Sequence, residues 1–323
     1  MSAPLVAAPS VRLTGSMSVP PADSDGFADF DGYQTWYRTT GTLDPEAPPP
    51  LVVLHGGPGA THDYVLTIGD LAQDGRAVIH YDQLGNGRST HLPERNGDRD
   101  FWTVELFVRE LANLVQHLGL SDFHVLGQSW GGFLAQEYAF IQPAGLRSLV
   151  LADTAASFPD FVAQATVLRA ELPPEVEQTL RQHEEAGTTD DPAYAAACQV
   201  YYDRYVCRVV PNPEEVVASF DAIEADPTVY HTMNGPSEFH VIGSLKDWTS
   251  QDRLKEIAVP TLIVSGAHDE AGPALQQTLA AGIRGAHWTM FRDSSHMPHV
   301  EERERYMQVV GDFLAKVDAQ PRD

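Results

Sequence analysis

Basic residues are scarce in this chain: 21 lysines and arginines face 45 aspartates and glutamates, a formal net charge of −24 at pH 7. Long-range repulsion of that sign opposes docking on phosphate backbones or anionic lipid before any local contact forms, so nucleic-acid and membrane-surface partners are disfavoured. Cysteine is scarcer still. Cys198 and Cys207 are the only two, too few for a disulfide framework or a cysteine metal cluster. A bridge between them stays open, and free thiols in a reducing cytoplasm are the simpler account. No stretch approaches the roughly 18–20 consecutive apolar residues that span a bilayer. The first 26 residues, rich in Ala, Pro and Ser, lack the basic start and apolar centre of a secretory signal. They read as a loosely ordered extension of a cytoplasmic protein. Internal repeats and long low-complexity tracts are also missing.

What is present suits one large core with an inserted subdomain: 323 residues, 43% of them hydrophobic. Apolar strand-like runs recur at 50–57, 76–82, 123–127, 146–153, 260–266 and 287–293, with helical stretches between them. The clearest, 104–119, sets Leu106, Leu111, Leu114, Val115 and Leu118 near one face. Such alternation predicts an α/β fold whose mostly parallel sheet is covered by helices on both faces. Residues 26–41 alternate and turn like an antiparallel hairpin at the sheet edge. Between about Thr154 and Asp252 the rhythm gives way to charged, alanine-rich helical segments broken by Pro173, Pro174, Pro192, Pro211 and Pro213. The expected organisation is therefore an extension over 1–26, a core over 27–153 and 252–323, and a helical cap over 154–251. A cap over the strand ends would enclose a site and select what enters it.

The chemistry concentrates in "VLGQSWGGF" (125–133), where Ser129 sits between Gly127 and Gly131. A bare G-x-S-x-G is weak, but here a buried-strand run precedes it, and a helical run with Phe133, Leu134, Ala139, Phe140 and Ile141 follows. That order suits a sharp strand-to-helix turn exposing a nucleophile, whose neighbours two residues away must be nearly free of side chain. A serine hydroxyl needs a base and an orienting acid. Asp269 lies just beyond a late strand, and His296 lies in the loop after the last one, giving the chain order Ser, Asp, His. His299 could replace His296 but is nearer the closing helix; Asp293 could orient His296 only by bending back. His268 reads as a surface or packing residue. His296 and His299 lack the accompanying ligands of a metal site. "HGGPG" (55–59) follows an early strand, so the backbone amides of Gly57 and Trp130 are the expected oxyanion donors. Tyr64 and the Trp130 side chain could line a pocket or simply pack.

The motifs "HGGPGATHDY" (55–64), "DQLGNGRS" (82–89), "GQSWGG" (127–132), "MNGPSEF" (233–239), "GAHDEAGP" (266–273) and "SSHMPHVE" (294–301) resemble the proline iminopeptidase family of α/β-hydrolases, across about residues 27–315. The resemblance implies a serine aminopeptidase with Ser129, Asp269 and His296 as triad. It would cleave after an unblocked N-terminal amino acid, preferentially proline. Glu238 and Glu270 match the family's glutamates that hold the substrate's free α-amino group; without the family Glu238 would read as a solvated cap residue and Glu270 as a surface salt-bridge partner. The implied partner is a small peptide or amino-acid amide, with no organic cofactor or metal. Some relatives resemble amino-acid amide hydrolases, an alternative reading that uses the same amine-binding arrangement. Leu84 departs from the arginine common at its place, which concerns loop packing, and the cap stretch 201–215 is only loosely family-like. Among rivals, epoxide hydrolases and dehalogenases carry aspartate where Ser129 stands. A plain carboxylesterase has no use for Glu238 and Glu270, and a non-catalytic receptor on the same fold has no need of a triad.

Overall fold

The apolar runs become strands in a computed structural model that describes residues 18–320. An antiparallel hairpin, β1 (Ser24–Phe30) and β2 (Tyr33–Thr40), leads into β3 (Leu51–Leu54), β4 (Val78–Tyr81), β5 (Phe123–Gln128), β6 (Leu146–Ala152), β7 (Thr261–Gly266) and β8 (His287–Phe291). The sheet order is β1-β2-β4-β3-β5-β6-β7-β8, parallel from β4 to β8. β3, β4, β5 and β7 are buried at every position, which is why they read as continuous apolar runs rather than alternating ones.

The expected extension over 1–26 needs one correction. Residues 1–17 lie outside the described residues, but Ser24, Asp25 and Gly26 already belong to β1, paired with Thr39, Arg38 and Tyr37. This edge strand has a mostly exposed first half, so it carries no apolar signature to find.

The helices are α1 (Val104–His117), α2 (Trp130–Phe140), α3 (Phe158–Arg169), α4 (Pro174–Ala186), α5 (Pro192–Tyr205), α6 (Glu214–Ala225), α7 (Thr228–Met233), α8 (Pro273–Gly282), α9 (Pro298–Glu301) and α10 (Arg303–Asp318). Neighbouring residues of the buried strands still part to opposite faces of the sheet. Val52 and Leu54 join the core packed by α1, α2 and α8, while Leu51 and Val53 join the one that holds Tyr306, Val310 and Leu314 of α10. Thr103 caps α1 by accepting the Leu106 amide, and Leu106, Leu111, Leu114 and Val115 are buried as their spacing predicts. Ile141 is different: α2 ends one residue before it and leaves it 58% exposed.

Five helices, α3 to α7, are inserted between β6 and β7. One of them is fastened over the loop after β3 by Ser219 of α6. Its hydroxyl lies 2.9 Å from Thr61 Oγ1 and accepts the Tyr64 amide at 3.2 Å. Leu84, in the loop after β4, is fully buried, and its amide donates to Glu110 Oε1 at 2.8 Å. No helix is long and apolar enough to cross a membrane among the described residues.

The chain end is clamped to the sheet by a buried charge. Arg76 donates to Pro49 O and to Asp318 Oδ2, each at 2.9 Å, and His124 Nε2 lies 2.9 Å from Asp318 Oδ1. Truncating Asp318 strands the nearly inaccessible Arg76 guanidinium. Asp318→Ala is expected to cost about 3 kcal/mol, the low end for a buried pair because Asp318 reaches solvent, measured by urea unfolding with an unchanged m-value.

Candidate active site

Ser129, Trp130, Gly57, Asp269 and His296 lie just beyond the carboxyl ends of parallel strands, with Glu270 beside Asp269 and Glu238 in the segment inserted between β6 and β7. β3 and β5 are neighbours although β4 separates them in sequence, with Leu54 opposite Gly127. The strand order reverses there, and such a switch point opens a crevice beyond the strand ends. It brings the loop 55–59 beside Ser129.

Ser129 has φ 55° and ψ −124° between β5 and α2, a conformation that costs a non-glycine residue roughly 1–3 kcal/mol. Hydrogen bonds hold it there. Its amide donates to Ala152 O at 2.9 Å, and its carbonyl accepts Gly132 N–H and the Thr154 hydroxyl, both at 2.8 Å. The flanking glycines have no alternative. A Cβ on Gly127 would lie 2.1 Å from Gly131 O, and one on Gly131 would lie 2.2 Å from Leu54 O.

His296 donates from Nδ1 to Asp269 Oδ1 at 2.7 Å, and the same oxygen accepts the Ala271 amide at 2.8 Å. The loop that carries His296 is anchored by buried Glu301, which accepts the Ser295 hydroxyl at 2.8 Å and the Arg208 amide at 2.6 Å. The competing candidates stand elsewhere. Buried His299 donates from Nε2 to Tyr64 O at 3.0 Å, and burial pushes its pKa down to about 3. Asp293 and His268 are exposed. Cys198 and Cys207 are buried free thiols.

Ser129, His296, Gly57, Gln128, Glu238 and Glu270 line one cavity, closed on its apolar side by Val206, Val216, Phe220 and Ile223 of the inserted segment. Among the described residues the amides of Gly57 and Trp130 donate to no acceptor. That of Trp130 is the first of α2, where the helix offers no partner and its dipole is positive. The Trp130 side chain packs instead, donating from Nε1 to Gln83 Oε1 at 2.8 Å against Phe107. Tyr64 both lines the cavity and ties it: its hydroxyl accepts the Gly56 amide at 2.6 Å and donates to Gln128 Oε1.

The electrostatics of the wall are one-sided, for no lysine or arginine lines this cavity. Glu270 is fully buried; neither carboxylate oxygen meets a donor at full hydrogen-bonding geometry, and the similarly unpartnered Tyr201 hydroxyl lies beside it. Oε1 lies 3.8 Å from His296 Nε2. Burial raises the Glu270 pKa well above the ordinary range, against the pull of His296 and with the help of Glu238 and Asp269. Part-buried Glu238 accepts the Tyr230 hydroxyl at 2.6 Å, and its pKa too is raised by burial. Burial disfavours the His296 imidazolium, but Asp269, then Glu270 and Glu238, outweigh it and lift the pKa to about 9. Tyr230 and Gln128 give no signal in the sequence, since their roles depend on how the inserted helices and the loop 55–64 meet.

A protein-family model for the alpha/beta hydrolase fold matches residues 49–303. A proline iminopeptidase of Heyndrickxia coagulans is 38% identical over 268 residues, 83% of this chain and 91% of its own. A crystal structure of a proline iminopeptidase from Mycobacterium smegmatis superposes with TM-score 0.84 at 46% identity, covering 91% of this chain and 99% of its own. The chain belongs to the proline iminopeptidase family of α/β-hydrolases. A crystal structure of the protein VinJ is also similar, with TM-score 0.89 and 49% identity over 92% of this chain and 100% of its own.

The strained turn depends on glycine on both sides, because a Cβ at either position would collide with backbone. Gly131→Ala forces a methyl group onto Leu54 O, and the shift needed to relieve it is expected to cost about 1–3 kcal/mol. Circular dichroism melts read that cost directly; an unchanged melting temperature would contradict the packing described for this turn.

Proposed function

We propose that the chain is a serine aminopeptidase that releases an unblocked N-terminal residue, preferentially proline, from a small peptide. The observation that carries this reading is the pair Glu238 and Glu270 on the wall of the cavity that holds Ser129 and His296. A buried carboxylate without a hydrogen-bond partner is costly unless a ligand completes it. The substrate's ammonium group supplies both the charge and the donors, and the apolar wall of Val206, Val216, Phe220 and Ile223 suits a pyrrolidine ring.

With the ammonium held there, the first carbonyl carbon meets Ser129. His296 Nε2 accepts the Oγ proton as Oγ attacks, and the Gly57 and Trp130 amides donate to the oxyanion. Losing one such donor costs roughly 3–4 kcal/mol. Asp269 keeps His296 in the tautomer that leaves Nε2 toward the reaction and stabilises its charged form. The leaving amine takes the proton, and water, deprotonated by the same imidazole, hydrolyses the acyl-enzyme.

Three outcomes are expected. Ser129→Ala should lose about 10⁴-fold or more in kcat while folding normally, as triad members do elsewhere; a folded, active variant would refute the assignment. Glu238→Gln and Glu270→Gln should each lower kcat/KM for prolyl arylamides by about 2–5 kcal/mol, the usual penalty for breaking a buried charge pair, while the plateau turnover of simple esters, measured above the acid limb, stays nearly unchanged. The pH profiles should also separate. In the free enzyme three carboxyl groups hold His296 at about 9, so the acid limb of kcat/KM should sit high. A bound ammonium offsets Glu238 and Glu270, lowers the imidazole pKa, and moves the acid limb of kcat to lower pH. Coincident limbs would contradict that coupling.

A further inference from the structure

Asp153 takes no part in the reaction as drawn. It directly follows β6, is fully buried, and holds φ at 49°, a region that aspartate and asparagine enter more readily than most residues. Both its ends are tied to β7, the strand that leads to Asp269. The Asp153 amide donates to Val264 O at 2.8 Å, and Oδ1 accepts the Gly266 amide at 3.1 Å. Oδ2 has no hydrogen-bond partner.

Asp269 is in the matching condition. Its Oδ1 accepts from both His296 and Ala271, while its Oδ2 is buried without a partner. The two carboxyl groups meet side chain to side chain. Two ionised carboxylates in contact and out of water repel strongly, and such pairs hold one proton between them. Two orphaned oxygens on neighbouring carboxyl groups are thus accounted for by a single hydrogen.

We propose that Asp153 is a carboxylic acid whose Oδ2–H donates to Asp269 Oδ2, making it a positioning residue that fixes the Asp269 carboxylate against His296. This rests on Asp269 being the acid of the triad. The proton belongs on Asp153 because Asp269 alone has the imidazole beside it and two donors on its other oxygen. The groups that act on Asp153 are Asp269 from the loop after β7, Glu301 of α9, Tyr306 of α10 and Tyr64 on the cavity wall, with His296 beyond Asp269. None of these is a lysine or arginine. Burial first, then Asp269, raise the Asp153 pKa well above the carboxylate range. A neutral donor does two things that a second carboxylate cannot: it locks the plane of Asp269, and it adds no further charge to an imidazole already crowded by carboxyl groups.

Two variants and one spectrum test this. Asp153→Asn keeps a donor for Asp269 and an acceptor for Gly266, whereas Asp153→Gly removes both and suits the backbone conformation. Asp153→Asn should keep kcat within about threefold, and Asp153→Gly should lower it about 10- to 100-fold, the range found where residues that orient metal ligands are lost, with KM little changed. The alkaline limb caused by loss of the shared proton should be missing from Asp153→Asn. At neutral pH the infrared difference between wild type and Asp153→Asn should contain a carboxylic-acid carbonyl band, a readout that needs no substrate. Absence of that band, equal losses in both variants, or a fully active Asp153→Gly would each overturn the proposal. Full turnover by Asp269→Asn would instead refute the triad reading and leave the infrared result standing.

Discussion

Negative charge held out of water without a matching cation is the constraint around which this site is built. Asp269, Glu270 and Glu238 act on one imidazole with Asp153 behind Asp269, and no lysine or arginine lines the cavity that Ser129 shares with Glu238 and Glu270. Burying like charges is expensive, and proteins answer by pairing them or by neutralising them through pKa shifts. Both answers are visible. His296 is drawn toward its charged form at one corner, while burial pushes Glu270 and Asp153 toward their neutral forms at the others. On the proposed function, a ligand that brings a positive charge completes such a cavity.

The scaffold makes this arrangement rigid. Parallel pairing aligns the ends of β3, β5, β6, β7 and β8, so that residues far apart in sequence arrive in one layer. Ser129 keeps its strained backbone because its own amide and carbonyl are fully used. The inserted helices provide what the sheet cannot: an apolar wall, the Tyr230 hydroxyl that orients Glu238, and Ser219 fastening α6 across the loop that follows Gly57.

Where the sequence is informative, local sterics or chain order do the informing. Gly127 and Gly131 can be read from spacing because the collisions they avoid, with Gly131 O and Leu54 O, are built into the turn itself. Asp269 and His296 can be read from their places after the last two strands. Glu270 cannot be read as a buried, partnerless carboxylate, since its burial is created by helices inserted earlier in the chain. Asp153 is hidden for another reason. An aspartate that closes a strand looks like any turn residue until the strand beside it is known to lead to a second aspartate. Edge strand β1 escapes notice at its start because exposed residues leave no pattern, and Ile141 continues an apolar rhythm past the end of its helix.

The central claim, that paired carboxyl groups recognise a free ammonium, is tested most directly by comparing kcat/KM for L-prolyl-β-naphthylamide with that for its N-acetylated form. The acetyl group removes the charge and leaves the scissile bond intact. The blocked compound is expected to be turned over at least about thirtyfold less efficiently, the low end of the penalty for losing a buried charge pair. Equal turnover of the two compounds would contradict it and would make the chain a general esterase or amidase on the same fold.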